Sequence, residues 1–299
     1  MNDVDERVRR VLVTGATGML GSVLVPSLKQ QGWVVLTHTR RRAADFVADL
    51  GSADEAVELI RRARPDAVVN LVAATDVDEC DRNPVRAFAA NTASVEYLCQ
   101  GLDVAAPEAF LVHVSSDQVY DGEGPHREEA ARPSNVYALT KYAGELAARS
   151  RPSAILRTNF FGVSPFDGRK SFSDWVVSEL SSGNSLNVFT DVRFSPLTMR
   201  CLSSLVGEFL ERRVQGTYNV GSRDGCTKAE FAFALARKWG LPEALLSACP
   251  MEMGGLRAYR PCDMRMDVSR VEAALGWRMP SIEEEIEGLW RRSRAQTEQ

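Results

Sequence analysis

The sequence predicts an α/β fold, a doubly wound parallel sheet with helices on both faces and a smaller C-terminal lobe. Three observations carry that expectation. Short apolar runs alternate with helical patterns through the first half of the 299-residue chain, the signature of parallel strands joined by helical crossovers. A glycine-rich stretch, TGATGMLG (14–21), directly follows the apolar run VLV (11–13). Much further along, YALTK (137–141) opens a helix just after a strand that ends in Ser115-Ser116.

Taken in order, strands are expected at 11–13, 33–38, 46–47, 67–72, 109–115 and 154–158. Helices fill the gaps, most clearly at 18–31, 53–64, 84–101 and 136–149. Pro84 suits the first turn of its helix, where a missing N–H costs no hydrogen bond. After Thr158 the pattern loosens into loops and short helices, with a helix at 172–182 and a polar turn, SSGNS, behind it. Two strands, 186–189 and 217–220, are expected to return to the main sheet around a helix at 199–212. AEFAFALARKW and SIEEEIEGLWRR read as amphipathic helices of the tail.

Composition narrows the class. With 44% hydrophobic and 25% charged residues, the chain has the make-up of a globular protein that buries a full core. A net charge of −4 argues against nucleic-acid binding, which calls for a basic face. No apolar run reaches the roughly 20 residues that span a bilayer, and the first ten residues are too charged for an export signal, so a cytoplasmic protein is expected. The six cysteines form no CxxC pair and the three histidines have no ligand spacing with them, which gives neither a disulfide framework nor a metal site.

The glycine stretch and YALTK describe one nicotinamide site. Glycines let the backbone turn tightly from strand to helix, whose free N–H groups and positive dipole end then face a pyrophosphate. Tyr137 and Lys141 are four apart and share a helix face, and an ammonium beside a phenol should lower the phenol's pKa. Cofactor choice rests on the end of the second strand, where an acid would accept from the adenosine ribose. There the chain runs instead into Thr39, Arg40, Arg41 and Arg42, so a 2′-phosphate and hence NADPH is favoured over NADH, with Arg40 first and Arg41 second.

These residues, with RPDAVVNLVAATDVDECD (64–81), SSDQVYDGEGPHREEA (115–130), NVYALTKYAGE (135–145), ILRTNFFG (155–162) and RPCDMRMDVSR (260–270), resemble the extended short-chain dehydrogenase/reductase family over nearly the whole chain. Within it the chain is most similar to the dTDP-4-dehydrorhamnose reductases, which are sugar-nucleotide 4-ketoreductases. The resemblance implies a Rossmann-type NADP-binding domain over residues 1–158, with strands returning near 186–189 and 217–220. Residues 159–299 would be mainly a substrate-binding lobe interleaved with that core.

It implies Ser116, Tyr137 and Lys141 as catalytic residues. Tyr137 would protonate a developing alkoxide, Ser116 would hydrogen-bond the same oxygen, and Lys141 would hold the nicotinamide ribose. Ser115 is the competing serine, since neighbours on a strand face opposite ways. Gly15, Thr17, Gly18, Met19, Leu20, Gly21, Thr39, Arg40 and Arg41 would hold the phosphate side of the cofactor and Asp49 and Leu50 its adenine. Ala73, Ala74, Thr75 and Asn91, with Tyr137 and Lys141, would hold its nicotinamide side. Thr75, Val77, Ser116, Asp117, Tyr137, Phe160 and Arg193 would contact a nucleotide-sugar. Phe160 stands where the rhamnose reductases commonly carry Trp, and Arg193 would reach a diphosphate or pair with an acid such as Asp191.

The resulting expectation is NADPH-dependent reduction of the 4-keto group of a deoxy nucleotide-sugar. Gln118 replaces the carboxylate base that a 4,6-dehydratase needs. Epimerisation or dehydration on the same scaffold is the first alternative. A regulatory subunit similar to the methionine adenosyltransferase beta subunit is the second. A homodimer is compatible with either.

Overall fold

A computed structural model describes residues 9–166 and 170–297. Its centre is a seven-stranded sheet built from β1 (Arg10–Thr14), β2 (Val34–Thr39), β3 (Phe46–Val47), β4 (Ala67–Asn70), β5 (Phe110–Val114), β6 (Ser153–Thr158) and β11 (Gly216–Val220). The strand order is β11-β6-β5-β4-β1-β2-β3, and every pairing is parallel. Chain order reverses between β1 and β4, so the crevice outside their carboxyl ends is the topological switch point where α/β sheets bind ligands.

Parallel strands between two helical layers must be apolar on both faces. In β1, Val11 and Val13 face one layer and Leu12 the other, all three fully buried. The first layer contains α1 (Met19–Gln30) and α8 (Met199–Arg212), whose Leu24 and Leu205 pack with Val69 and Val112. On the opposite face α2 (Ala53–Ala63) and α5 (Ser94–Ala105) bring Ile60 and Leu98 against Val68 and Leu111, and α6 (Val136–Ala148) completes the layer.

The helix expected at 84–101 is not continuous. Behind the short α3 (Val77–Arg82) it begins as α4 (Pro84–Phe88), passes through a π-helical turn at Ala89–Ala93, and resumes as α5. The widened turn sits where α6 comes closest: a Cβ on Gly144 would lie 2.2 Å from the Asn91 carbonyl oxygen. Glycine is therefore required at 144.

The second lobe holds α7 (Phe172–Ser181), α9 (Lys228–Trp239), α11 (Ile282–Thr297) and three two-stranded sheets. These are β7 (Phe160–Phe161) with β10 (Leu197–Thr198), β9 (Arg193–Phe194) with β12 (Cys226–Thr227), and β8 (Leu186–Phe189) with β13 (Leu246–Cys249). Helix α10 (Ser269–Leu275) packs back against β11. Of the two strands expected to return to the main sheet, 217–220 does so as the edge strand β11, but 186–189 does not. The reason is visible in β8 itself: Leu186 and Val188 are buried while Asn187 is exposed, an alternation that fits a strand covered on one side only. Its buried side joins Phe161, Phe194 and Phe231 in the lobe's own core.

Candidate active site

The turn from β1 into α1 has the geometry a pyrophosphate needs. Gly15 holds φ +70°, and a Cβ there would press on the Leu71 backbone. A Cβ on Gly21 would lie 2.3 Å from the Ala16 carbonyl oxygen, so this glycine lets the helix lie against the turn. Gly18 is the N-cap of α1, offers no side-chain cap, and no acid occupies the first turn. The free N–H groups are thus left to an anion. Thr17 and Met19 are half-buried there, while the Leu20 side chain packs into the core.

At the end of β2, buried Thr39 donates its hydroxyl to the Arg42 carbonyl at 2.7 Å and accepts the Arg42 N–H at 3.1 Å. This small turn leaves Arg40 and Arg41 exposed, whereas the Arg42 guanidinium lies 5.8 Å from the Phe166 ring of the second lobe. Asp49 is exposed and accepts the Gly51 N–H at 2.9 Å, but its neighbour Leu50 is buried in the sheet core. Arg40, Arg41 and Asp49 are thus open to solvent at this end of the sheet, whereas Leu50 is not.

Across the switch point, Ala73, Ala74 and Thr75 form the loop after β4. Asn91 fixes that loop. Its amide accepts from the Ala74 N–H at 2.7 Å and donates to the Ala74 carbonyl and the Thr140 hydroxyl, both at 3.1 Å. Both amide protons are spent within the protein, so Asn91 shapes the nicotinamide side indirectly.

Ser116 and Tyr137 are hydrogen-bonded to one another, and Lys141 lies one turn further along the same helix as Tyr137. Asn135 caps α6 by accepting the Ala138 N–H, and the helix's inward stripe then carries Tyr137, Lys141, Gly144 and Glu145. The Ser116 side chain is hydrogen-bonded to Tyr137, donates to Asp117 at 3.3 Å and accepts the Gln118 N–H at 3.2 Å. Ser115 is occupied elsewhere: its hydroxyl donates to buried Glu145 at 2.6 Å. Fully buried Arg157 holds the same carboxylate through Nε at 2.9 Å and Nη2 at 2.6 Å, and its Nη1 donates to the Tyr120 hydroxyl at 2.8 Å.

The electrostatics of Tyr137 differ from the sequence expectation. Its hydroxyl is pushed up to about 12, chiefly by burial and further by the Asp117 carboxylate, with the Ser116 hydrogen bond opposing. Lys141 does not offset this. Its Nζ donates to the Val114 carbonyl at 2.8 Å, and burial brings the ammonium itself down to about 8 although Glu145 favours its charge. Desolvation dominates both groups because both sit in the same dry corner. Tyr137 is therefore a neutral phenol at pH 7, the form that can give up a proton. Asp117, 1% exposed, is raised to about 6 by burial, against the pull of Asn159, Lys228 and Ser116.

A cavity of about 610 Å³ lies between the sheet's carboxyl edge and the second lobe. Gln118, Asn159, Lys228 and Arg260 give it a polar wall, and Trp175, Phe189 and Met253 an apolar one. Val77 is buried beside Tyr137, and Thr75 is exposed at the loop tip. None of the expected substrate contacts, Thr75, Val77, Ser116, Asp117, Tyr137, Phe160 and Arg193, is itself in the lining; Gln118 and Asn159 stand between the cavity and Ser116 and Asp117. Phe160 pairs with Leu197 and packs on the core, leaving Asn159 to face the cavity, because successive residues of an extended segment point opposite ways. Arg193 has a half-exposed side chain 3.9 Å from Asp263, an acid already held by Arg265 at 2.6 Å.

Sequence reasoning missed Lys228, Arg260 and Trp175. Arg260 had a signal, since it opens the RPCDMRMDVSR segment, and it forks onto Asp78 with Nη1 at 3.3 Å and Nη2 at 3.1 Å. Lys228 had none: a lysine following a capping threonine reads as solvent-facing.

The RmlD substrate binding domain model matches residues 9–294. The probable low-salt glycan biosynthesis reductase Agl14 of Haloferax volcanii is 32% identical, covering 93% of this chain and 96% of that protein. The methionine adenosyltransferase 2 subunit beta of Xenopus tropicalis is 29% identical over 97% of this chain and 90% of that protein. The crystal structure of dTDP-4-dehydrorhamnose reductase from Bacillus anthracis in complex with NADP superimposes with a TM-score of 0.86 at 23% identity, covering 95% of this chain and 99% of that one. With one family model spanning both lobes and a relative above 30% identity over most of its length, this chain belongs to the RmlD substrate binding domain family.

Proposed function

We propose that this chain is an NADPH-dependent reductase of the 4-keto group of a deoxy nucleotide-sugar. The observation that carries the reading is the hydrogen-bonded pair of Ser116 and Tyr137 at the carboxyl end of β5, with Lys141 one turn further along α6 on the Val114 carbonyl, next to the segment whose Gln118 walls a cavity large enough for a sugar nucleotide. The family membership supports the same substrate class. The preference for NADPH is supported by exposed Arg40 and Arg41, whose guanidinium groups suit a phosphate monoester.

When bound, the reduced dinucleotide supplies the hydride. The chain's own residues manage the oxygen. Tyr137 donates its proton to the carbonyl oxygen as negative charge develops there, and Ser116 donates a second hydrogen bond to the same atom. Lys141, held on the Val114 carbonyl one helical turn from Tyr137, would hold the nicotinamide ribose of the bound dinucleotide. Gln118, in the cavity wall, is a neutral amide and cannot take a proton from the carbon next to the ketone, which disfavours elimination.

The test is NADPH oxidation against a panel of 4-keto-6-deoxy nucleotide-sugars, with product stereochemistry determined. Reduction of one or more members is expected. A second reading is kept because of the strong similarity to a methionine adenosyltransferase beta subunit. It predicts NADPH binding without reduction of any panel member, together with tight association with a methionine adenosyltransferase.

A further inference from the structure

Lys228 is the first residue of α9, directly after the capping Thr227. The dipole of a helix opposes a cation at its N-terminus, and a lysine there ordinarily turns out to water. This one does the reverse. Its Nζ lies 3.4 Å from the centroid of the Phe194 ring and 4.5 Å from that of Phe172, in the cavity wall it shares with Gln118 and Asn159. Two aromatic faces stand in for lost hydration, which holds the charge in place without neutralising it.

The missing counter-charge is in the other lobe. Asp117, beyond the end of β5, is buried and accepts from Asn159 Nδ2 at 2.8 Å. The groups that face it are Ser116 from its own segment, Tyr137 from α6, Asn159 from beyond β6 and Lys228 from α9. Lys228 is the cation that acts on Asp117, through space, since the two form no ion pair within 4 Å among the described residues. The groups acting on Lys228 in turn are Asp117 and the Cys226 thiol.

We propose that Lys228, delivered by the second lobe, is the counter-charge of Asp117, and that this pairing across the lobes fixes the carboxylate's charge beside Ser116 and Tyr137. Lys228 is thus a positioning residue, acting on the reaction through Asp117. An ionised Asp117 keeps Tyr137 in its protonated form, and the Ser116 hydroxyl that rests on Asp117 turns to the substrate oxygen when that is bound. Burial alone drives Asp117 toward the neutral acid, and Lys228 opposes that drive. The catalytic meaning rests on the reductase reading, but the charge coupling does not.

The experiment is a carboxyl-carbon NMR titration of Asp117 in the whole protein, as wild type, Lys228→Met and Lys228→Arg. Lys228→Met is expected to raise the Asp117 midpoint by about one pH unit or more, the scale of losing a nearby opposite charge, and Lys228→Arg to leave it near the wild-type value. Coupling is reciprocal, so Asp117→Asn is expected to lower the Lys228 midpoint by a comparable amount in a side-chain nitrogen titration. That arm stands even where Lys228→Met does not fold. An Asp117 midpoint unmoved by Lys228→Met, or a Lys228 midpoint unmoved by Asp117→Asn, overturns the proposal. In an active enzyme the acid limb of the kcat profile moves to higher pH in Lys228→Met. Absence of turnover in the wild type on every keto-sugar tells against the reductase reading, while the two titrations still decide the pairing.

Discussion

Two adjacent serines divide structure from chemistry, and substituting each tests that division. Ser115→Ala removes a hydroxyl that donates to Glu145 at 2.6 Å, with both groups buried. A hydrogen bond to a charged group contributes about 1.5–3 kcal/mol. Glu145 keeps both Arg157 contacts in the variant, so its carboxylate is not orphaned and a loss of about 2 kcal/mol is expected. Ser116→Ala removes a donation to Asp117 at 3.3 Å, an acceptance from the Gln118 N–H at 3.2 Å and the hydrogen bond with Tyr137, long or uncharged contacts apart from that to Asp117, so its cost to stability is about 1 kcal/mol. Activity should invert the order. Loss of a donor to the developing oxyanion lowers kcat by roughly a hundredfold or more in Ser116→Ala, whereas Ser115→Ala turns over near the wild-type rate. Equilibrium urea unfolding and steady-state NADPH oxidation on the same preparations measure both quantities. A Ser115→Ala protein of undiminished stability and abolished turnover would refute the assignment of the two serines.

Tyr137→Phe should nearly abolish reduction while leaving NADPH affinity largely intact, and Lys141→Met should damage both; calorimetry with steady-state kinetics separates the two. Arg40→Ala should weaken NADPH binding by on the order of 1.5–3 kcal/mol, roughly ten- to a hundredfold, with little effect on NADH; equal affinity of the wild type for both cofactors would remove the phosphate argument. Folding raises Asp117 from 3.8 to about 6, so the folded state binds the extra proton between those values and its ionisation opposes folding. That penalty is absent below about pH 4 and complete above about pH 6, so Asp117→Asn should gain roughly 2–3 kcal/mol on the wild type between pH 4 and pH 7, read from paired urea curves. Finally, dTDP-glucose with NADP⁺ should yield no product lighter by one water, while a 4-keto-6-deoxy substrate with NADPH should gain two hydrogens; mass spectrometry of both reactions decides between reductase and dehydratase.

The central sheet was legible because its strands are bounded by the same physics that marks them in sequence. Fully buried parallel strands such as AVVN (67–70) and FLVHV (110–114) are unbroken apolar runs apart from polar groups that pair with one another. Asn70 and His113, for instance, share a contact at 3.1 Å. The strand at 186–189 misled for the complementary reason: four residues of suitable composition do not say which sheet they join, and only the exposed Asn187 hints at a one-sided partner. The π turn within 84–105 was not legible, since it answers to the approach of Gly144 from a helix about fifty positions away. Local pattern carries no trace of such a contact.

At the site, what could be read was what the backbone dictates. A glycine with φ +70°, an uncapped helix start and an inward stripe through Tyr137 and Lys141 follow from residue type and spacing. Charge states could not be read that way. Helical spacing does not say whether an ammonium acts on a phenol: here burial pushes Tyr137 up and Lys141 down, and the groups that act on them are Ser116 and Asp117 for the phenol and Glu145 for the ammonium. The same holds for Asp117, whose environment combines β5, α6, the segment beyond β6 and α9. No window of sequence contains those four elements together. Lys228 sits 111 positions from Asp117, and its role became readable only once Phe172 and Phe194 were seen to turn its ammonium inward. Ser116, Tyr137 and Lys141 come from the segment after β5 and from α6, while Lys228 comes from α9 of the second lobe, so on the proposed coupling any loosening of that lobe would shift the Asp117 charge as well.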